Sequence, residues 1–404
     1  MGRGRGAEND NEIVIKDELG VKIHGVYTRL TDRTGFASQS ATRRLISQLE
    51  IIKPDIIHLH NIHGYYLNIE MLFEFIKAHD IKVVWTLHDC WAMTGHCAYF
   101  DMVECQKWKT GCSHCEQKNT YPTSILLDSS KWNWNKKKEL FAGINAVIVT
   151  PSKWLENIVK QSYLSNYPVQ VIHNGIDTEL YQPRSNGKLK SKYAPRGEPI
   201  VLGVASEWTE RKGLNDFIHL AQENQDIRFI VVGVKPEQKK KLPAELIGIC
   251  RTSNVNELVE LYSVADVFFN PTYEDNYPTT NLEALACGTP VITYDTGGSP
   301  EVIEDALKKD GTAIGTIIKK ETSQRVDLGR VIKEIRKMVR LVNAPIVNGE
   351  FTANSADVKE SSSIMALDRG ELSLREKCRS VALEYGKEQR LAEYIKLYKE
   401  LLSC

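Results

Sequence analysis

The stretch Asn270-Pro-Thr-Tyr-Glu-Asp-Asn-Tyr-Pro-Thr-Thr-Asn-Leu-Glu-Ala-Leu-Ala-Cys-Gly-Thr-Pro-Val-Ile292 decides the fold. Strand-length apolar runs, Val267–Phe269 and Val291–Tyr294, flank it, and Gly288 is a natural residue to end a helix. The segment therefore reads as strand, loop, short helix from about Thr280 to Gly288, and strand. That order sets the loop and the helix N-terminus at the carboxyl edge of a parallel sheet. Open α/β folds bind ligands there, and helix N–H groups attract phosphate there.

The same grammar extends outward. Apolar bursts recur at Ile56–Leu59, Val83–Leu87, Val147–Val149, Val169–Ile172, Ile200–Val204, Phe229–Gly233, Ile247–Ile249, Val267–Phe269, Val291–Tyr294 and Ile314–Ile318. Being apolar on consecutive residues and alternating with helical patterns such as Asp216–Gln222 and Val255–Val264, they predict parallel strands buried on both faces. The class is α/β, doubly wound. Tyr181–Pro199, with Gln-Pro-Arg-Ser-Asn-Gly-Lys, Ala-Pro-Arg-Gly and Glu-Pro, leaves little room for a regular element and marks a boundary between domains 1–183 and 196–372. A helical pattern at Leu328–Leu341 is followed by a polar stretch, 343–370, that reads as a flexible insertion, and a last amphipathic helix spans about Ser373 to Leu402.

Composition narrows the function. The 404 residues carry 52 basic and 52 acidic side chains, which argues against a nucleic-acid partner, whose binding needs surplus Lys and Arg. No apolar run approaches the ~20 residues that span a bilayer. The polar N-terminus reads as neither a secretion signal nor a myristoylation site, because residue 6 is Gly; a cytoplasmic location is expected. Nine Cys then suggest reduced thiols or a metal site before a disulfide framework.

The segment around Glu283 resembles the C-terminal half of a family 4 (group 1) glycosyltransferase, whose pattern is two acids with seven residues between, the second on a helix reading Glu-Ala-Xaa-Ala-Xaa-Gly-Xaa-Pro-Val. Glu283 fits the second acid and Asp275 stands where the family has its first Glu. The likeness continues at Asn174-Gly-Ile-Asp177, Lys212-Gly213 and Gly297-Gly298-Ser-Pro-Glu301. It implies a GT-B fold, with two Rossmann-like domains facing across a cleft and the last helix, 373–404, crossing back to the first. It also implies transfer of a sugar from a nucleoside-diphosphate sugar to an acceptor hydroxyl, with retention and no metal required for chemistry.

By the same resemblance, Glu283 accepts hydrogen bonds from the donor's ribose, a task suited to a carboxylate whose two oxygens match a vicinal diol. The residue-level alternative is a capping box between Thr280 and Glu283. Asp275, or Glu274 before it, would contact the donor sugar, although Asp275-Asn-Tyr-Pro278 replaces the family's Glu-Gly-Phe-Gly. Lys212, following a strand, would neutralise charge on the departing diphosphate. The family's Arg five residues before that Lys is Glu207 here, so Arg211 is the candidate substitute. Gly297 and Gly298 complete the donor-binding set.

In the first half, Val83-Val-Trp-Thr-Leu-His88-Asp89 ends a strand with His at the carboxyl edge, and the resemblance puts a functional His there; His60 and His63 are lesser candidates. An insert at 90–115 follows, with Cys97, Cys105, Cys112 and Cys115 falling within nineteen residues and ending as Cys-x-x-Cys. This spacing suggests a structural Zn site, with Cys90 able to replace one ligand; free thiols lining an acceptor loop, or paired disulfides were the protein exported, are the alternatives. Lys131-Trp-Asn-Trp-Asn-Lys-Lys-Lys138 mixes aromatics and cations as an anionic membrane interface does, or as a solvated helix face does.

One departure concerns the start. The family opens on a strand and a Gly-rich loop, whereas residues 1–20 here are polar, so the first domain is expected to lack its first βα unit. The look-alikes with His-Asp-Cys-Trp and the four-Cys insert are bacterial enzymes of capsule, exopolysaccharide and O-antigen assembly that extend a lipid-linked oligosaccharide. A non-catalytic partner in such an assembly and a sugar-nucleotide epimerase on the same scaffold are the other readings.

Overall fold

The structure is a computed structural model that describes residues 15, 18–185, 187–344, 346–347, 350–351 and 372–403. Nearly all of the polar stretch 343–370, and most of the first twenty residues, lie outside the described residues. The chain divides into two units, residues 1–172 with 393–404 and residues 173–392. The division falls at Ile172, ahead of the Pro-rich stretch.

Unit 1 holds a four-stranded sheet of β1 (Ile56–His60), β2 (Lys82–Thr86), β3 (Ala146–Thr150) and β4 (Val169–Val171), in that spatial order and all parallel. Side-chain alternation splits β2 between two layers. Val83 and Trp85 join Phe73 and Phe141 on one face, and Val84 joins Val149, Ile172 and Leu397 on the other. Each such side chain contributes about 1.5–3 kcal/mol by leaving water. Leu397 comes from the last helix, Lys387–Ser403. That helix also bonds the sheet through Tyr398 Oη to His58 Nδ1 (2.6 Å) and Tyr394 Oη to Thr86 Oγ1 (3.1 Å).

Unit 2 holds β5 (Ile200–Val204), β6 (Arg228–Val232), β7 (Leu246–Ile249), β8 (Val267–Asn270), β9 (Val291–Tyr294) and β10 (Gly315–Ile318). Their spatial order is β10-β9-β8-β5-β6-β7, again all parallel. The chain runs outward from β5 to β7, returns, and runs outward the other way from β8 to β10. The reversal leaves a crevice at the carboxyl ends of β5 and β8, the topological switch point. Ile200, Val201, Leu202, Phe229, Ile230, Phe268, Phe269, Val291 and Ile292 are wholly buried, as continuous apolar runs require of a sheet covered on both faces.

All ten apolar bursts are strands. The expected last helix is two, Leu374–Leu383 and Lys387–Ser403. Ser373 and Glu376 cap the first of these reciprocally. The break comes where the chain turns its backbone toward Ile176: Ile176 N–H donates to Tyr385 O (3.0 Å) and Lys387 N–H donates to Ile176 O (2.8 Å).

Candidate active site

In unit 2 the loops after β5 and β8 are joined at the switch point. Tyr273 N–H donates to Arg211 O (2.7 Å), and Arg211 Nη1 donates to Glu274 O (2.8 Å). Two glycines permit this approach. Gly213, at φ 71°, has no room for a side chain because a Cβ would lie 2.2 Å from Pro271 O; at Gly297, φ 55°, a Cβ would lie 1.8 Å from Asp275 O. With the loops so close, Lys212 Nζ forms an ion pair with Asp275 Oδ2, and Asp275 Oδ1 accepts Asn276 N–H (2.9 Å). A cation and an acid widely separated in sequence thus share one edge of the sheet. Glu207, where the family has Arg, lies away on the surface in an ion pair with Lys235.

Glu283 sits on the helix Thr279–Ala286 that follows the β8 loop. The helix starts one residue earlier than expected and takes Pro278 as its N-cap, so the Thr280–Glu283 capping box is not formed. Glu283 Oε2 instead accepts the Tyr262 hydroxyl (2.9 Å). Burial pushes its carboxyl above the usual range, while Tyr262 and Thr279 pull it back. A carboxylate kept deep in the fold and served by hydroxyl donors is suited to a ligand diol. Beneath it, Asn270 Nδ2 donates to Asn281 Oδ1 (2.9 Å) and Asn281 Nδ2 donates to Ser299 O (3.0 Å), fixing the helix start to the Gly297–Gly298 turn. Sequence reasoning missed Tyr262, since nothing in an apolar helix marks one Tyr as the partner of a distant acid.

In unit 1 the carboxyl ends of β1 and β2 carry imidazoles. His88 Nε2 lies 2.8 Å from His60 Nδ1. His58 bonds Tyr398 Oη and Thr86 Oγ1. Burial is the main reason His58 is lowered to about 4 and His60 to about 3, and His88 is lowered too. His63 meets Asp89 (Nε2–Oδ2 3.2 Å) and stacks on Trp91. Burial would raise Asp89, but His63 and the Trp91 amide hold it below the ordinary carboxylate value. At neutral pH His58, His60 and His88 are uncharged and serve as hydrogen-bonding groups.

Among the described residues no group of three or more His, Cys, Asp or Glu side chains could hold a metal ion. Cys97, Cys105, Cys112 and Cys115, the residues expected to hold zinc, line one small cavity. Cys97 and Cys115 hydrogen-bond each other, and Cys112 Sγ accepts Gly95 N–H (3.2 Å). The loop is fixed by other means. Asn133 Nδ2 donates to Gly95 O (2.8 Å), Trp134 Nε1 donates to Trp108 O (2.9 Å), and buried Lys137 donates to Trp91 O (2.6 Å) with its ammonium 3.8 Å from that ring. Burial brings Lys137 down to about 7. Asn133, Trp134 and Lys137 of the Lys131–Lys138 segment therefore face inward, leaving Lys131, Trp132, Asn135 and Lys138 outside.

Two Rossmann-like parallel-sheet units, the second with a lysine and acids at its switch point, define the GT-B class of glycosyltransferase. The model described as Glycosyltransferase Family 4 matches residues 3–180 and that described as Glycosyl transferases group 1 matches residues 185–335. The chain belongs to this family and is an enzyme that transfers sugar. It is 25% identical over 389 residues, 92% of this chain and 82% of the relative, to WcaC of Escherichia coli (strain K12), described as a colanic acid biosynthesis glycosyl transferase. Among solved structures it resembles sucrose-phosphate synthase from Thermosynechococcus elongatus, with TM-score 0.60 and 15% identity over 90% of this chain and 79% of that one. It also resembles Anabaena Alr3699/HepE in complex with UDP and glucose, with TM-score 0.56 and 14% identity over 90% and 82%.

Proposed function

We propose that this enzyme moves a sugar, with retention, from a nucleoside-diphosphate sugar to a hydroxyl of a lipid-linked oligosaccharide in exopolysaccharide, capsule or O-antigen assembly. It works in the cytoplasm at the inner face of the membrane. The observation that carries the reading is the Lys212–Asp275 pair at the switch point of unit 2. The likeness to a colanic acid enzyme along most of the chain favours the polysaccharide, and the UDP-bound neighbour of the same fold favours the donor.

In this mechanism Asp275 holds the Lys212 ammonium in place before the donor arrives. The diphosphate then takes over that cation, which is worth most as the bond to the sugar breaks and negative charge collects on the leaving oxygen. Arg211, fixed to the Glu274 carbonyl, adds positive potential and stiffens the loop. Glu283 receives the ribose hydroxyls, while Asp275 and Glu274 border the donor sugar. Gly297 and Gly298 let phosphate approach backbone amides. His88 donates to or accepts from a sugar hydroxyl as a neutral imidazole. No metal enters the chemistry.

Lys212→Ala tests this. Turnover of a UDP- or GDP-linked sugar onto a lipid-linked acceptor should fall by about 10²–10³, with a much smaller rise in donor KM. Kinetics equal to those of the unaltered enzyme would remove the lysine from the reaction and the reading with it.

A further inference from the structure

The helix Glu18–Thr31 is inside out. Its buried residues are His24, Gly25 and Thr28, two of them polar. Its large apolar residues stand in water, with Leu19 67%, Ile23 58%, Val26 55% and Leu30 48% exposed. At 100° per residue these four share an arc of roughly 60° opposite the buried face. Lys22 and Arg29, both exposed, flank that arc on one side together with the exposed Glu18, which leaves that margin net positive.

A second segment enlarges the patch. Ile125 N–H donates to Arg29 O (2.7 Å) and Leu127 N–H to Leu30 O (3.3 Å), which lashes 125–127 to the end of the helix. Ile125, Leu126 and Leu127 are nevertheless 67%, 65% and 51% exposed. Lys131 and Trp132 follow shortly after, both exposed. Seven aliphatic side chains held outward by a hydrogen-bonded backbone form a built surface, larger than the scattered apolar residues every protein exposes.

We infer that this patch docks unit 1 on an anionic lipid bilayer, the aliphatic side chains entering the interface and Lys22, Arg29 and Lys131 meeting lipid phosphates. It is the pattern of an interfacial helix, with an apolar stripe, basic margin and aromatic at the rim. Among the described residues no helix is long and apolar enough to cross a membrane. The cationic flank selects an anionic surface over a second copy of this chain, whose patch carries the same charge. The inference rests on the proposed lipid-linked acceptor for its purpose, and it replaces the Lys131–Lys138 face as the contact, since Trp134 and Lys137 are buried.

The test is sedimentation of the full chain with vesicles. Binding to phosphatidylglycerol–phosphatidylethanolamine vesicles, and not to phosphatidylcholine vesicles, is expected, weakening as salt rises. The doubly substituted chains Ile23→Glu/Leu126→Glu and Lys22→Glu/Arg29→Glu should each lose at least tenfold in partition. Their melting curves and nucleotide affinity should be unchanged, because every altered side chain is exposed. Equal binding by the variants, or indifference of the unaltered chain to anionic vesicles, overturns the inference. So does a concentration-dependent dimer, seen by sedimentation velocity, that Ile23→Glu/Leu126→Glu abolishes. The Lys212→Ala chain should bind vesicles normally, so failure of the transfer reading and failure of the docking surface are told apart.

Discussion

The carboxyl edges of the two sheets are built from opposite materials. In unit 2 the edge is charged: Lys212 against Asp275, Arg211 against a carbonyl, Glu283 under a tyrosine hydroxyl. In unit 1 it is imidazole, and desolvation keeps His58 and His60 uncharged. A fixed cation suits an anion that leaves, and a neutral hydrogen-bonding surface suits hydroxyl groups that change charge little. The same parallel-strand geometry supports both, so the chemistry lies in the loops that the strands present.

Gly297→Ala should break the unit 2 edge most. A Cβ would meet Asp275 O at 1.8 Å on a backbone with φ 55°, so the β8 loop must shift. A loss of about 3 kcal/mol is expected, or roughly 6–12 °C in melting temperature, together with lost nucleotide binding. A variant that melts and binds normally would show that the loop contact is dispensable.

Acid should separate the units. His24 is buried, accepts Gly35 N–H at Nε2 (3.1 Å) and is lowered by burial to about 4. Below pH 6.5 the unfolded chain takes up this proton and the folded chain does not, so stability falls as pH drops from 6.5 toward 4, by up to roughly 3 kcal/mol. His96, which Asp32 raises against the effect of burial, contributes stability that is fully present below pH 6.5 and lost only as pH rises above it, so it is level within that window. In unit 2 burial raises Glu283 and Asp216, whose protonated forms are therefore favoured by folding; their contribution is present at low pH and lost as pH rises through the folded values. Hydrogen exchange at pH 7 and pH 5 should show β1–β4 loosening while β5–β10 hold. Equal change in both sheets would contradict the contrast.

Glu283→Gln sharpens the reading of the charged edge with a smaller effect. Nucleotide affinity should fall by about 1–3 kcal/mol, the scale of a charge-assisted hydrogen bond. Melting temperature should hold or rise slightly, because the amide relieves a buried charge. Calorimetry against UDP and GDP beside a melting curve decides it; normal affinity with early melting would make Glu283 a purely structural residue.

What the sequence showed and hid follows from the range of the forces involved. Parallel strands are local apolar runs, so all ten were legible, as was the loop-to-helix segment holding Asp275 and Glu283. The helix Glu18–Thr31 was not, because its apolar stripe serves no core and residues around it are polar. The four-Cys loop was legible only in part for a related reason: Cys spacing sets which thiols are neighbours along the chain, whereas Cys97 meeting Cys115 and Cys112 meeting the Gly95 amide depend on how Asn133, Trp134 and Lys137 fold the loop.

The sequence by itself determined the class of fold, the order of its strands along the chain and the residue types at the ends of β5 and β8. These rest on hydrophobic runs and turn chemistry within a few residues of each other. Only the tertiary structure decided that Lys212 meets Asp275, that Tyr262 serves Glu283, that His60 meets His88, and that an apolar helix face is turned to water. The three pairings span tens of residues and the exposed face depends on what the rest of the chain leaves uncovered, so no local pattern encodes any of them.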